Sequence, residues 1–545
     1  MFAFPLPSFV RRWRFDVRIP LLSHRPPTTD NRQLFLLAPN PQSPIQHRPL
    51  PSLTHQSLKG ALWTFVQRGG QQIIRFGVTV VLARLLAPEA FGLLAMLEVF
   101  LVVSEKFIHA GFGSALIQKK EVTNTDLNTL FYYNLAVSVA VYGVLFLSAP
   151  SIARFYNQPD LVDITRVSAL SLICMGFQVV QSVQFSRRMD FRIPTLASFG
   201  ALLASAVIGI AMAFNGYGVW SLVWSGLARR IVEGIWLWIA SAWMPSLEFS
   251  VSSVRQIVRF GAPILTASLL DGFFSNLHTI VIGKVYSAGA LGFFNRARAV
   301  QSIAIDSTTA PLFGVLFPAF SRIHHEPERL AAAYLRVLQV AAFVLFPVLF
   351  SLALVADPLV LLVYSEKWRV CTPYLYWLAI VGVWYPLSLI SFGVVKSLGD
   401  GFGFLRMSLT RHLFSVVAIA LTYSSGIVPI IIGIGVAQAL VFLSVCASLT
   451  KCIPTTLLQQ LLAIAPALVL SCAAHLACLA IPWSQNLPLI ARVIFPTGLF
   501  LLIYGISATL LRLKGLRHLL DSTRMLWTRW SLSYKLITRF CAWMG

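Results

Sequence analysis

Four polar side chains, Arg68, Gln71, Gln72 and Arg75, recur at i, i+3, i+4 and i+7 inside an apolar stretch that runs from about Gly60 to Leu86. On an α-helix this spacing puts all four on one face. A cation at bilayer depth costs about 2.5–3.5 kcal/mol, so two on one face need a compensating environment. A water-filled or ligand-filled cavity inside a helical bundle meets that need, which makes the chain a candidate transporter.

Further charges sit at membrane depth. The next apolar segment carries Glu98 and Glu105, seven residues apart on one face, with Lys106 and His109 beside them. The two carboxylates are expected to complement Arg68 and Arg75. They serve either as an ion-pair network that closes the bundle or as a cavity lining that titrates or binds an anion. A later segment holds Arg229, Arg230 and Glu233. Pairing of Arg229 with Glu233 at i, i+4 leaves Arg230 on another face, as a second cavity cation. Asp271, His278, Arg298 and Asp306 place titratable groups among apolar neighbours. Asp271 is the foremost candidate for a coupling-ion carboxylate, with Glu98, Glu105 and His278 behind it. Arg411-His412 and Arg492 are expected to snorkel or to pack structurally.

The elements that position these residues are membrane helices. Mean hydropathy is +0.75 and only 12% of residues are charged, about half the soluble average. Apolar stretches of membrane length follow one another from about residue 60 to 511, which predicts an all-α polytopic membrane protein of about fourteen spans. The expected spans lie near 60–84, 93–116, 128–150, 164–184, 195–214, 217–242, 259–283, 298–318, 336–357, 372–396, 404–424, 427–449, 458–480 and 488–511. With both termini on the cytoplasmic side, the cytoplasmic segments, the two tails included, hold most of the 43 Lys and Arg residues. The net charge of +23 is therefore a topology signal with some attraction for anionic lipid headgroups, not a nucleic-acid footprint. The absence of any N-x-S/T sequon favours a bacterial origin.

Residues 1–57, rich in Pro and Arg, read as a disordered N-terminal tail or as the product of a start codon placed too far upstream. Two six-helix bundles are expected over 58–242 and 243–449, then two appended helices over 450–511. The tail over 512–545 has seven Lys or Arg against one Asp, interleaved with Trp527, Trp530, Tyr534, Phe540 and Trp543, and suits an amphipathic helix on the inner leaflet. The seven cysteines form no CxxC pair and read as small apolar residues, so neither a disulfide framework nor a metal site is expected.

An internal repeat supports the two-bundle reading. At an offset of 200 residues, the stretch from Ala83-Arg84-Leu85 to Ala90-Phe91-Gly92 aligns with that from Gly283-Lys284-Val285 to Ala290-Leu291-Gly292. At the same offset Arg68, Gln71 and Arg75 meet Ser268, Asp271 and Ser275, and His278 continues that face. Six intervening spans keep the copies parallel, which puts the symmetry axis along the membrane normal. One wall of the cavity would then be cationic and the other able to titrate.

Enzyme signatures are missing. No GxxxxGK[ST] loop occurs, so this chain has no recognisable means of driving transport with a nucleotide, and no cofactor is expected. His325-Glu326 does not extend to a zinc motif, because Arg329 stands at the second His position. No GxSxG elbow occurs, and every inter-span loop is short, which counts against an in-membrane transferase.

The segment Leu82-Ala83-Arg84-Leu85-Leu86-Ala87-Pro88-Glu89-Ala90-Phe91-Gly92-Leu93 resembles the first inter-span motif of bacterial Wzx-type polysaccharide flippases, the colanic-acid-exporter branch of the multidrug/oligosaccharidyl-lipid/polysaccharide (MATE-like) superfamily. Gly111-Phe112-Gly113-Ser114-Ala115-Leu116-Ile117, Phe185-Ser186-Arg187-Arg188-Met189-Asp190-Phe191, Gly216-Tyr217-Gly218-Val219-Trp220, Leu291-Gly292-Phe293-Phe294-Asn295-Arg296-Ala297 and Leu316-Phe317-Pro318-Ala319-Phe320-Ser321-Arg322 support it. The resemblance covers roughly residues 57–450. It implies a bacterial inner-membrane protein that carries an undecaprenyl-diphosphate-linked oligosaccharide from the inner to the outer leaflet. It further implies alternating access coupled to a proton or sodium gradient, alongside polysaccharide polymerase and glycosyltransferase partners. On that reading Arg68, Arg75 and Arg230 hold the diphosphate, while Gln71 and Gln72 contact phosphate or sugar hydroxyls. Rival readings are a cation-coupled exporter of drugs or of another lipid-linked precursor, a membrane polymerase or glycosyltransferase, and a non-transporting scaffold. A drug exporter should prefer an acidic, aromatic cavity, whereas this one is net cationic.

Overall fold

The computed structural model describes residues 70–109, 122–188, 190–241, 243–482 and 486–519. Arg68, the 1–57 tail, the Gly111–Ile117 motif and most of the 512–545 tail lie outside the described residues. Those described are helical, with no strand among them, and fall within one compact unit spanning 63–545.

The first helix, α1, is described over 70–85, and α2 (Pro88–His109), α3 (Asn124–Tyr156), α4 (Leu161–Arg187), α5 (Arg192–Phe214) and α6 (Val219–Ser241) complete the first half. The second half opens with α7 (Val251–Ser275), a short α8 (Leu277–Val285) and the long α9 (Ala288–Arg322). Next come α10 (Pro327–Leu354), α11 (Ala356–Val363), α12 (Cys371–Val381), α13 (Trp384–Ser397), α14 (Gly401–Thr422) and α15 (Ile427–Leu449), with α16 (Leu457–Leu479) and α17 (Leu489–Leu510) last.

Local chemistry sets where these helices begin. Thr123 and Asp126 form a reciprocal capping box at α3, and Thr456 with Gln459 does the same at α16. Ser287 caps α9, accepting from the Ala290 N–H at 3.1 Å, and Asp400 caps α14 through the Gly403 N–H at 2.8 Å. Each expected span overlaps a helix. Among the described residues, ten segments are long and apolar enough to cross a membrane, with α7–α8 sharing one and α12–α13 another. Helices α2 and α6 are not among them, because Glu98, Glu105 and Lys106 lie in one and Arg229, Arg230 and Glu233 in the other. These two helices are thus poorly suited to face lipid, whereas α7–α8 with Asp271 and α14 with Arg411 remain apolar enough to span.

One difference from the sequence reading concerns His278. The expected continuous face from Ser268 to His278 is interrupted at Asn276, where the chain leaves helical geometry (φ −108°, ψ 7°) before α8 begins. The Asn276 side-chain amide donates to the Gly272 carbonyl at 2.9 Å. This local bond competes with the helical ladder, as asparagine side chains commonly do.

The repeat has a spatial counterpart. Helices α2 and α9 cross at repeat-related glycines: a Cβ on Gly92 would lie 1.7 Å from the Ala288 carbonyl oxygen, and one on Gly292 2.1 Å from that of Pro88. Positions 88 and 288, like 92 and 292, differ by the same 200 residues, so the two contacts are exchanged by the repeat. Two further contacts are exchanged in the same way. Arg84, in the last turn of α1, donates to the carbonyls of Leu362 and Val363 at the end of α11, and Lys284, in the last turn of α8, donates to the Phe155 carbonyl at the end of α3. A tyrosine followed by a positive-φ residue stands at both clamped ends: Tyr156, the last residue of α3, then Asn157 (φ 56°), and Tyr364, just after α11, then Ser365 (φ 117°). Lys367 returns bonds to the carbonyls of Arg84 and Leu86 at 2.7 and 2.8 Å, and Trp368 Nε1 donates to that of Ala83 at 2.7 Å. Cations and N–H donors at the C-terminal carbonyls of helices satisfy groups that would otherwise be orphaned and favour the helix dipole.

Candidate functional site

Helix α1 presents Gln71 and Gln72 half-buried and Arg75 exposed; the Gln71 amide nitrogen is shut off from solvent without a hydrogen-bond partner. The described charge that meets Arg75 is another cation, Arg229 of α6, which also feels Glu233 and Arg230. Three guanidinium groups that act on one another, with Glu233 as the carboxylate that opposes them at Arg229, leave a net positive region, a place suited to an anion.

The expected partnerships on α2 and α6 are rearranged. Glu105 pairs with Arg230, Nη2 to Oε1 at 2.7 Å, rather than with α1. The pair joins α2 to α6, and Gln178 of α4 adds a bond of 2.9 Å to the Arg230 carbonyl. Glu233 accepts from Ser198 Oγ at 2.5 Å, so its hydrogen bond runs to α5 rather than along its own helix to Arg229. Glu98 is exposed and acts electrostatically on Arg298 of α9.

In the second half a cavity of about 280 Å³ opens between α7, α8, α9, α12, α13, α14 and α15. Ser275, His278, Arg298, Asp306, Arg411 and His412 contribute to its wall, with Gln301, Tyr385, Ser415 and Gln438 among the further polar groups. His278 Nε2 meets Arg298 Nη1 at 2.5 Å. A guanidinium has no acceptor, so this histidine nitrogen is the acceptor and carries no proton. Arg411 is bonded to Asp271, and His412 Nε2 lies 3.6 Å from the same carboxylate oxygen while its ring stacks on Phe274 at 5.0 Å. Arg411 and His412, expected to snorkel or pack, therefore line this cavity. Arg492 instead lies 3.6 Å from Asp357. The polar pair Arg411-His412 in an otherwise apolar span was the available signal for the cavity; nothing in the sequence singled out Gln301, Tyr385 or Gln438. Of the aligned second stripe, Ser275 and His278 reach the cavity wall and Ser268 does not; Gln71, Gln72 and Arg75 form no part of this wall. Among the described residues no cluster of three His, Cys, Asp or Glu side chains is placed to hold a metal ion.

Comparison with known proteins adds to this geometry. A family profile described as "Polysaccharide biosynthesis protein" matches residues 81–373. The chain is 29% identical over 339 residues to the teichuronic acid biosynthesis protein TuaB of Bacillus subtilis, covering 61% of this chain and 70% of that protein. It is 26% identical over 368 residues to the lipopolysaccharide biosynthesis protein WzxC of Escherichia coli, covering 66% and 71%. The succinoglycan biosynthesis transport protein ExoT of Rhizobium meliloti matches at 26% identity, covering 66% and 72%. Among solved structures, the lipid II flippase MurJ in an inward closed conformation superposes with a TM-score of 0.68 at 12% identity, covering 82% of this chain and 98% of the other. A multidrug resistance MATE family transporter of the MOP superfamily, inward-facing, gives 0.56 at 16% identity, covering 70% and 95%. Both likenesses establish the fold.

Proposed function

The chain belongs to the polysaccharide biosynthesis protein family, and from that premise we propose that it moves a lipid-linked oligosaccharide across the bacterial cytoplasmic membrane by alternating access. The observation that carries the proposal is the net positive region in which Arg75 and Arg230 act electrostatically on Arg229, with Gln71 and Gln72 half-buried on the helix that carries Arg75. This cluster suits a diphosphate, whose oxygens take paired, charge-assisted hydrogen bonds from guanidinium groups. Arg68 would extend the same helical face, and the glutamine amides would meet phosphate or sugar hydroxyls. Arg230 is already bonded to Glu105, so it contributes by holding α2 against α6 and reaches substrate only when that pair opens.

In this reading residues 58–242 and 243–449 form two bundles that rock about the α2–α9 crossing. Both termini are cytoplasmic, and a polymerase and glycosyltransferases act before and after the transport step. Glu98 and Asp271 are the exposed carboxylates suited to bind and release a coupling ion, Asp271 only on leaving Arg411. Glu105 and His278 are held by Arg230 and Arg298 and would take part only on leaving those partners. No catalytic step is required. The relatives' names, which include a biosynthesis transport protein, support transport over transferase chemistry.

The test is a reconstituted-vesicle assay that follows a lipid-diphosphate glycan between leaflets, with and without proton or sodium gradients. Arg68→Ala with Arg75→Ala, and separately Arg229→Gln, should abolish transfer while leaving the amount of folded protein unchanged. Undiminished transfer in both variants would remove the diphosphate assignment.

A further inference from the structure

The ion pair between Arg411 and Asp271 is lopsided. The Arg411 side chain is 16% exposed whereas that of Asp271 is 54% exposed, so the cation is embedded and its counter-ion stands at the protein surface. The arginine is also under-used: its Nε is shut off from solvent without a partner. Gln438 Oε1, across the cavity on α15, is in the same condition. A buried polar atom left unpaired is costly, and cavities that carry such atoms are commonly completed by a ligand or water. Around these groups stand Ser302, Tyr385 and Ser415, which bond hydroxyls, and the stacked rings of Phe274 and His412. The space, about 280 Å³, lies just below the usual range for ligand pockets, which starts at about 300 Å³. It suits one sugar residue rather than a whole oligosaccharide.

From this we infer that the second-half cavity is a subsite for an acidic sugar residue, in which the sugar carboxylate displaces Asp271 from Arg411. The inference rests on the transport reading above and goes further by giving the glycan its own recognition site, apart from the cations that suit the diphosphate. In the empty protein Asp271 neutralises Arg411 and keeps the embedded guanidinium from standing alone, which would be strongly unfavourable. A substrate carboxylate supplies the same charge and adds hydroxyls for Gln301, Gln438 and Ser415. Asp271, the more exposed partner, is the one placed to move aside. His412 stays against Phe274, and the Arg298–His278 pair on the opposite wall holds that side in place. A neutral sugar cannot perform the exchange, because it would leave Arg411 bound to Asp271.

Binding to the purified full chain in lipid nanodiscs tests this, with glucuronate, glucose and inorganic pyrophosphate as probes and titration calorimetry as the readout. Glucuronate should bind at least about tenfold more tightly than glucose. Arg411→Gln should erase that preference without weakening pyrophosphate. Asp271→Asn removes the competing carboxylate and should tighten glucuronate severalfold while leaving glucose unchanged. Equal binding of the two sugars, loss of pyrophosphate binding in Arg411→Gln, or weaker glucuronate binding in Asp271→Asn would each overturn the inference. The two readings separate in vesicles. If the wild-type protein translocates no lipid-linked glycan, the transport reading fails even where the binding preference stands. If Arg411→Gln slows neutral and acidic lipid-linked glycans alike, the acidic-sugar subsite fails and transport stands.

Discussion

Placing a methyl group at the α2–α9 crossing should destabilise the protein sharply, whereas the same change at helix glycines with open space around them should not. Ordinary contact with a built Cβ begins at 3.4 Å. In Gly92→Ala the new atom would sit 1.7 Å from the Ala288 oxygen, so the backbones would have to part by 1.7 Å (3.4 less 1.7). In Gly292→Ala it would sit 2.1 Å from the Pro88 oxygen, a parting of 1.3 Å (3.4 less 2.1). Overpacking costs about 1–3 kcal/mol where side chains can yield. Here the obstacle is main chain, which cannot rotate aside, so the upper part of that range applies. Alanine's helical advantage over glycine, about 1 kcal/mol, offsets part of it. The net expected loss is about 2 kcal/mol for each variant. The double variant should lose less than twice that, because one separation of the helices relieves both clashes. Gly143→Ala and Gly226→Ala, where nothing lies within 4 Å, are matched controls that should melt at or slightly above the wild-type temperature. Thermal melting in detergent, followed by the fraction surviving size-exclusion chromatography, reads all five proteins. If Gly92→Ala and Gly292→Ala melt with the controls, the close crossing is wrong, and the pivot proposed for transport loses its basis.

Two further outcomes follow from single contacts. A double-mutant cycle with Arg230→Gln and Glu105→Gln should return a coupling of about 1–2 kcal/mol in melting experiments, the worth of a charge-assisted bond discounted because both side chains are about one-third exposed; zero coupling would mean that the two helices are not joined there. Tyr334→Phe removes a hydroxyl that meets Ser391 Oγ at 2.8 Å and donates to Gln460 Oε1 at 3.0 Å in the second-half core. It should cost about 1–3 kcal/mol by leaving a buried acceptor unpaired, and an unchanged melting temperature would count against that polar knot.

Hydropathy is a property of each segment on its own, so the helical membrane class and the position of nearly every helix could be read directly. The repeat could also be read, because Gly92 and Gly292 keep their type wherever the chain cannot admit a side chain. Partnership is different. Helical spacing says which residues share a face but not which helix that face meets. Glu105 and Arg230 are 125 residues apart, and Asp271 and Arg411 are 140 apart. Neither pairing follows from periodicity, and neighbouring helices in sequence were the natural but incorrect guess for Glu105. The break at Asn276 escaped for a related reason: one side-chain amide bonding the Gly272 carbonyl outweighs an apolar pattern that runs unbroken through it.

The reciprocal clamps made by Arg84 and Lys284 hold main-chain carbonyls, not side chains. Every residue type supplies a carbonyl, so Leu362, Val363 and Phe155 can be replaced by other residues without removing an acceptor. The clamps therefore place the whole demand for residue identity on the donor side of each contact. Tolerance to substitution should be correspondingly one-sided, narrow at the two basic positions and broad at the helix ends they grip. A carbonyl also has no proton to gain or lose near neutrality. The seam between the halves should therefore keep its strength across the pH range in which a proton gradient works, leaving response to that gradient to the carboxylates inside.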